Sequence, residues 1–202
     1  FYEGSTLTTE AKFIKDVATH QMAVLRDDGL HRHLQFRRPG TYCMGFDIVT
    51  WPGYLAYTGD MGCFVFTRIP DMFEFFRTDR THGAQDGKLK INRSYWAEKC
   101  VAQDRNGIMA YSPEVFHRAV LDRLKDCELP KGTRAAVRDE VLSRADDGEH
   151  EAMRAAIDFE HEGFRFSDFW ETNCREYTYH YLWCCYALAW SIKTYDEAKV
   201  PA

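Results

Sequence analysis

The hydrophobic pattern changes period along the chain. Near the N-terminus, Thr8 and Thr9 with Glu10 make a helix start, because a hydroxyl can accept the free N–H groups of a first turn. Phe13, Ile14, Val17 and Ala18 then give an apolar stripe that predicts a helix to about His20. From Met22 the period falls to two. His31–Arg37 places Arg32, Leu34 and Phe36 on one side and His31, His33, Gln35 and Arg37 on the other. Tyr42–Thr50 alternates again, with Tyr42, Met44, Phe46 and Ile48 on one face. Tyr54–Thr58 and Cys63–Arg68 read as two more strands.

Asp27-Asp28-Gly29, Pro39-Gly40, Trp51-Pro52-Gly53 and Gly59-Asp60-Met61-Gly62 punctuate these runs with reversal chemistry. Connections this short permit only antiparallel neighbours. Residues 21–68 are therefore expected to form an antiparallel meander of about five strands, buried on one face and polar on the other.

The second half has helical spacing. The sequence predicts a short helix at Met72–Arg77, a polar surface loop at 78–93, and a helix from Ser94 to Gln103. Ser112-Pro113-Glu114 starts another, running to about Cys127: Ser caps, Pro fits the first turn, and Glu favours the positive end of the dipole. Further helices are expected at 133–145 and 149–161, with an irregular or briefly extended stretch at Phe164–Phe169. The last, Cys174–Lys199, is apolar on nearly every side and should be central and buried. Strands first and helices afterwards indicate an α+β class: a sheet (21–68) packed by a helical part (94–199), read as a single domain over 1–202.

Composition narrows the function classes. The 202 residues are 45% hydrophobic and carry a net charge of −5, which is enough material for a core and argues against general binding of duplex nucleic acid. No apolar run reaches the roughly 18 residues of a membrane span. The seven cysteines are irregularly spaced without a CxxC pair, as expected of reduced core thiols in a cytoplasmic protein. No signal peptide is visible, and the start at Phe1 without Met fits the loss of a preceding segment.

Four constellations could carry chemistry. His31 and His33 leave the same strand face, and Asp47 on the next hairpin shares it. These three could hold a metal, or His33 could serve as a general base; a solvated strand face is the plainer alternative. Gly59-Asp60-Met61-Gly62 could present the Asp60 carboxylate or an anion-binding turn, with a simple hairpin as the alternative. An acidic run that includes Asp146, Asp147, Glu149, Glu151, Asp158 and Glu160 could meet a basic partner surface. Arg26, Arg32, Arg37 and Arg38 on the first hairpin could touch phosphate. The aromatic residues of the last helix could stack on a ring ligand but suit a core better. Neither GxSxG, HExxH nor a P-loop occurs, and no cofactor is called for.

Three stretches carry a resemblance: RDDGLHRHLQFRRPGT, FDIVTWPGYLAYTGDMGCFVFTRIPDMFEFFR and HYLWCCYALAWSIKTYD, together about a third of the chain. They resemble an uncharacterised family of proteins encoded by bacteriophages and prophages. The resemblance implies an accessory protein in the bacterial cytoplasm. That family has no settled activity, so it assigns no catalytic residue. Two functions follow as expectations. One is a phage-encoded protein that binds and inhibits a host or defence complex, CRISPR-like systems included, through the acidic residues or the 78–93 loop; a homodimer is compatible with it. The other is a small enzyme or ligand binder using the polar sheet face, with His33, Asp47, Asp60 and Arg68 as candidates. The lack of a strong catalytic motif favours the first.

Overall fold

A computed structural model describes residues 8–81, 89–125 and 127–199. The chain forms two compact units. One comprises residues 1–108 with 177–202, the other residues 109–176.

The first unit is built on a six-stranded antiparallel sheet in the order β1-β2-β3-β4-β5-β6. Its strands are β1 (Gln21–Asp28), β2 (His31–Arg37), β3 (Phe46–Trp51), β4 (Tyr54–Gly59), β5 (Gly62–Thr67) and β6 (Cys100–Gln103). The expected alternation holds on β2, where Arg32, Leu34 and Phe36 are buried. Phe46, Ile48, Leu55, Tyr57, Phe64 and Phe66 continue the same apolar face across the sheet. Three helices, α1 (Glu10–Val17), α2 (Met72–Thr81) and α3 (Arg93–Glu98), accompany the sheet together with the terminal helix Tyr179–Lys199.

That terminal helix packs on all three of these helices and on β5. Its Trp183 is fully buried, stacking edge-on against Phe13 of α1 at 5.0 Å and Phe46 of β3 at 5.5 Å. The indole N–H still has a partner, donating to Asp16 at 3.1 Å. Burial of such large rings is the main apolar stabilisation of a core like this. The helix starts at Tyr179 rather than Cys174, because Arg175–Tyr177 is extended.

Arg32 is the one charged side chain of β2 on the buried face. It donates to Asp71 through both terminal nitrogens, at 2.8 and 3.0 Å, and stacks on Phe73 at 4.7 Å. Burial works to raise the Asp71 carboxyl, but hydrogen bonding and charge from Arg32 outweigh it and leave it below the ordinary value of 3.8.

Three expectations need correction. Residues 42–45 turn instead of extending, and β3 starts only at Phe46. Tyr42, expected to face inward, is 75% exposed. Cys100–Gln103 is strand β6, not the end of a helix: α3 stops at Glu98 and is capped by Asn92 instead of Ser94. The expected loop at 78–93 is partly helix, since α2 continues to Thr81; residues 82–88 lie outside the described residues.

The second unit has its own core. It contains β7 (Met109–Tyr111), α4 (Pro113–Arg123), α5 (Thr133–Glu140), a 3₁₀ segment (Leu142–Asp147), α6 (Glu149–Asp158), the short strands β8 (Glu160–His161) and β9 (Phe164–Arg165), and the first two residues of β10 (Arg175–Tyr177). Ser112 caps α4 as expected, accepting from the Val115 N–H at 3.3 Å. Phe116, Val120, Val137, Ala152 and Phe169 are buried together. The helix expected over 133–145 tightens to 3₁₀ after Val141.

Candidate functional site

The polar face of the first hairpin converges on one carboxylate. His33, Gln35 and Arg37 all leave the same face of β2, and Asp47 sits opposite Gln35 on β3. His33 Nε2 lies 2.7 Å from Asp47 Oδ2, Arg37 donates to Oδ1 at 3.3 Å, and Gln35 donates to Oδ2 at 3.5 Å. A carboxylate only accepts, so the shared proton of the closest contact belongs to His33 Nε2. The residues are half-buried, and the cluster fixes the direction of the Arg37 stem.

Arg37 leads from this cluster to a cleft of about 610 Å³ lined by Gln21, Met22, Ala23, Gln35, Arg37, Arg38, Pro39, Gly40, Thr41 and Tyr42. Ligand clefts commonly fall between about 300 and 1,000 Å³. Among the described residues, the charged groups on its walls are the Arg37 and Arg38 guanidinium groups. The Arg37 guanidinium lies over the Tyr42 ring, 4.5 Å from its centre. That stack explains why an aromatic residue stands out from the surface on this turn.

The Gly59-Asp60-Met61-Gly62 hairpin braces the same turn. The Asp60 carboxylate accepts from the Met44 N–H at 2.8 Å, and the Asp60 N–H donates to the Gly45 carbonyl at 3.0 Å. This holds Met44 at a φ of +56°, a conformation that non-glycine residues seldom adopt. Gly59 is there for space: a Cβ would stand 2.4 Å from the Gly45 carbonyl oxygen. Asp60 thus positions the loop bearing Tyr42 and makes no hydrogen bond to His33 or Asp47.

The other candidates are placed apart. His31 is exposed at the turn end of β2, opposite Asp28. Among the described residues, no group of three or more His, Cys, Asp and Glu side chains is arranged to hold a metal. Arg68 is exposed in the bend after β5 and makes no hydrogen bond to His33, Asp47 or Asp60. Of the hairpin arginines, Arg26 pairs with Asp28 at 3.1 Å and Arg32 is in the core, which leaves Arg37 and Arg38 at the cleft.

The acidic candidates belong to the second unit, and neighbouring side chains engage most of them. Glu149 is gripped by Arg175 through two hydrogen bonds of 2.7 Å, and these lower its carboxyl below the ordinary value. Asp147 pairs with Arg144, Glu151 with His150, Asp158 with Arg154, and Glu160 with Arg165. Asp146 is exposed with no salt bridge among the described residues. The excess is nonetheless real, since residues 109–176 hold 16 acidic and 10 basic side chains. Beside these acids, Met153 and Ile157 of α6 line a groove of about 420 Å³ with Glu149, His150 and Arg154.

Residue spacing placed His33 and Asp47 on one polar face, as a metal set with His31 or as a general base, and the structure joins them in a hydrogen bond instead. The cleft itself was missed, because Tyr42 alternates in phase with Met44 and Phe46 and so reads as a core residue. No described helix is long and apolar enough to cross a membrane. Comparison with protein-family models, with curated proteins and with solved structures gave no match.

Proposed function

We propose that this protein binds a small anionic ligand in the Arg37–Arg38 cleft. One observation carries the reading: on a chain of net charge −5, a cleft is lined, among the described residues, by two guanidinium groups and no carboxylate. Guanidinium groups recognise phosphate and carboxylate through paired N–H donors. Gln21, Gln35 and Thr41 add neutral hydrogen-bonding groups to the lining. Asp47 orients Arg37 from behind, and Asp60 steadies the loop above. The role this supports is binding, with His33 and Asp47 as positioning residues.

The test is isothermal titration with inorganic phosphate. Arg38 is exposed, so Arg38→Ala should leave the melting temperature within a degree or so. It should weaken phosphate binding about tenfold, the value of a charge-assisted hydrogen bond. Equal affinity in the wild type and the variant would refute the assignment.

A second reading rests on the charge imbalance of the second unit. The phage resemblance and this acidic excess support a protein that blocks a host or defence complex by occupying a basic surface. Exposed Asp146 and Glu151 are the residues to reverse, since Glu149 is committed to Arg175. A partner recovered from infected cells should be lost from the Asp146→Lys/Glu151→Lys double variant and released by salt. Retention of the same partner by that variant would remove this reading.

A further inference from the structure

We infer that the anion taken by the cleft is a nucleoside phosphate, its ring stacked on Tyr42 and its phosphate held by Arg38. This rests on the anion-binding reading above and names the ligand class.

The argument starts from an aromatic side chain that is exposed where none needs to be. Tyr42 is 75% exposed and lies on the cleft wall. One face of its ring is covered by the Arg37 guanidinium at 4.5 Å, so its exposure belongs largely to the other face and the edge. A planar π-surface held still on one side and bare on the other suits a second flat ring. The restraint is substantial. Arg37 is anchored to Asp47 at 3.3 Å, and the turn carrying Tyr42 is closed by the Gly45 N–H donating to the Tyr42 carbonyl at 2.8 Å. The Asp60–Met44 hydrogen bond pins the same turn from the neighbouring hairpin. Little ordering remains for a ligand to impose, which favours binding.

The rest of the lining fits the other parts of such a molecule. Gln21 and Gln35 offer amide groups, which can both donate to and accept from the edge of a base. Arg38 is exposed with no side-chain partner among the described residues, so its guanidinium is available to phosphate. One such unit suits the cleft better than a long strand, because a chain of net charge −5 repels an extended polyanion.

The experiment is titration calorimetry at low salt with four probes: adenosine 5′-monophosphate, adenosine, inorganic phosphate and a single-stranded oligodeoxynucleotide. The monophosphate should bind at least about tenfold more tightly than phosphate or adenosine alone. Tyr42→Ala should remove that advantage, so that the monophosphate binds the variant no more tightly than phosphate does, and Tyr42→Trp should keep it. Tyr42 is exposed, so circular dichroism and melting should be unchanged in both variants. If phosphate binds through Arg38 but the monophosphate binds no better, or if Tyr42→Ala has no effect on it, the ring-stacking inference fails and the anion reading stands. If none of the probes binds, both fall. If the oligonucleotide binds more tightly per nucleotide than the monophosphate, with a steep salt dependence, a free nucleotide is the wrong ligand.

Discussion

Asp47 gives the most informative single substitution. Its carboxylate stands behind Arg37, with the guanidinium nitrogen 3.3 Å from Oδ1. An anion docked on the far side of that guanidinium lies about 7 Å from the carboxylate, allowing another 3–4 Å for the second contact. At that separation, and at an effective dielectric constant of roughly 40–80 for a surface cleft, the repulsion is about 0.6–1.2 kcal/mol. Asp47→Asn removes the charge but keeps an oxygen that Arg37 can donate to, and the Tyr42 stack still restrains the guanidinium. Binding of inorganic phosphate should therefore tighten about three- to sevenfold at low salt, and the gain should shrink as ionic strength rises. The loss of charge-assisted hydrogen bonds from His33, Gln35 and Arg37 should lower stability by about 1–2 kcal/mol. Titration calorimetry with urea unfolding reads both quantities. Weaker phosphate binding at low salt, in a variant that remains folded, would refute the placement of the anion in the Arg37–Arg38 cleft.

Three further outcomes follow from the fold. Trp183→Ala empties a fully buried site touching Phe13 and Phe46, and should cost the first unit about 3–5 kcal/mol by urea denaturation. Gly59→Ala drives a Cβ to 2.4 Å from the Gly45 carbonyl oxygen and 2.6 Å from the Phe46 Cβ; it should lower the melting temperature and also abolish phosphate binding, because the displaced backbone carries the Tyr42 turn. Asp71 has a folded-state acidity constant below its ordinary value of 3.8, so the Arg32 pair contributes fully above that pH and is lost as pH falls through the lower folded value. An acid unfolding series should accordingly show a shallower fall in stability below about pH 4 for Asp71→Asn than for the wild type.

Local chemistry made the sheet legible and hid much of the site. His31–Arg37 alternates cleanly because one face of β2 is sealed by the terminal helix, and Gly29 with φ +61° makes the reversal that Asp27-Asp28-Gly29 announced. Strand β6 could not be read this way. Cys-Val-Ala-Gln has no strong period, and its strand character comes from pairing with Phe64–Phe66, more than thirty residues earlier. Tyr42 failed for a different reason. Its phase with Phe46 is coincidental, since the chain turns between them and the ring is held outside by Arg37. The acidic run was legible as a charge excess, but the cations that engage it at Arg165 and Arg175 lie beyond the run in sequence. The Arg32–Asp71 pair spans 39 positions and has no local signature either.

The account depends on the cleft between β1 and the 38–42 turn receiving an anion. An amide-resolved NMR titration with inorganic phosphate tests that directly. It should shift Gln21–Ala23, Gln35 and Arg37–Tyr42 as one saturable group, with the second unit unmoved. Shifts confined to residues 109–176, or none at all up to millimolar phosphate, would contradict it.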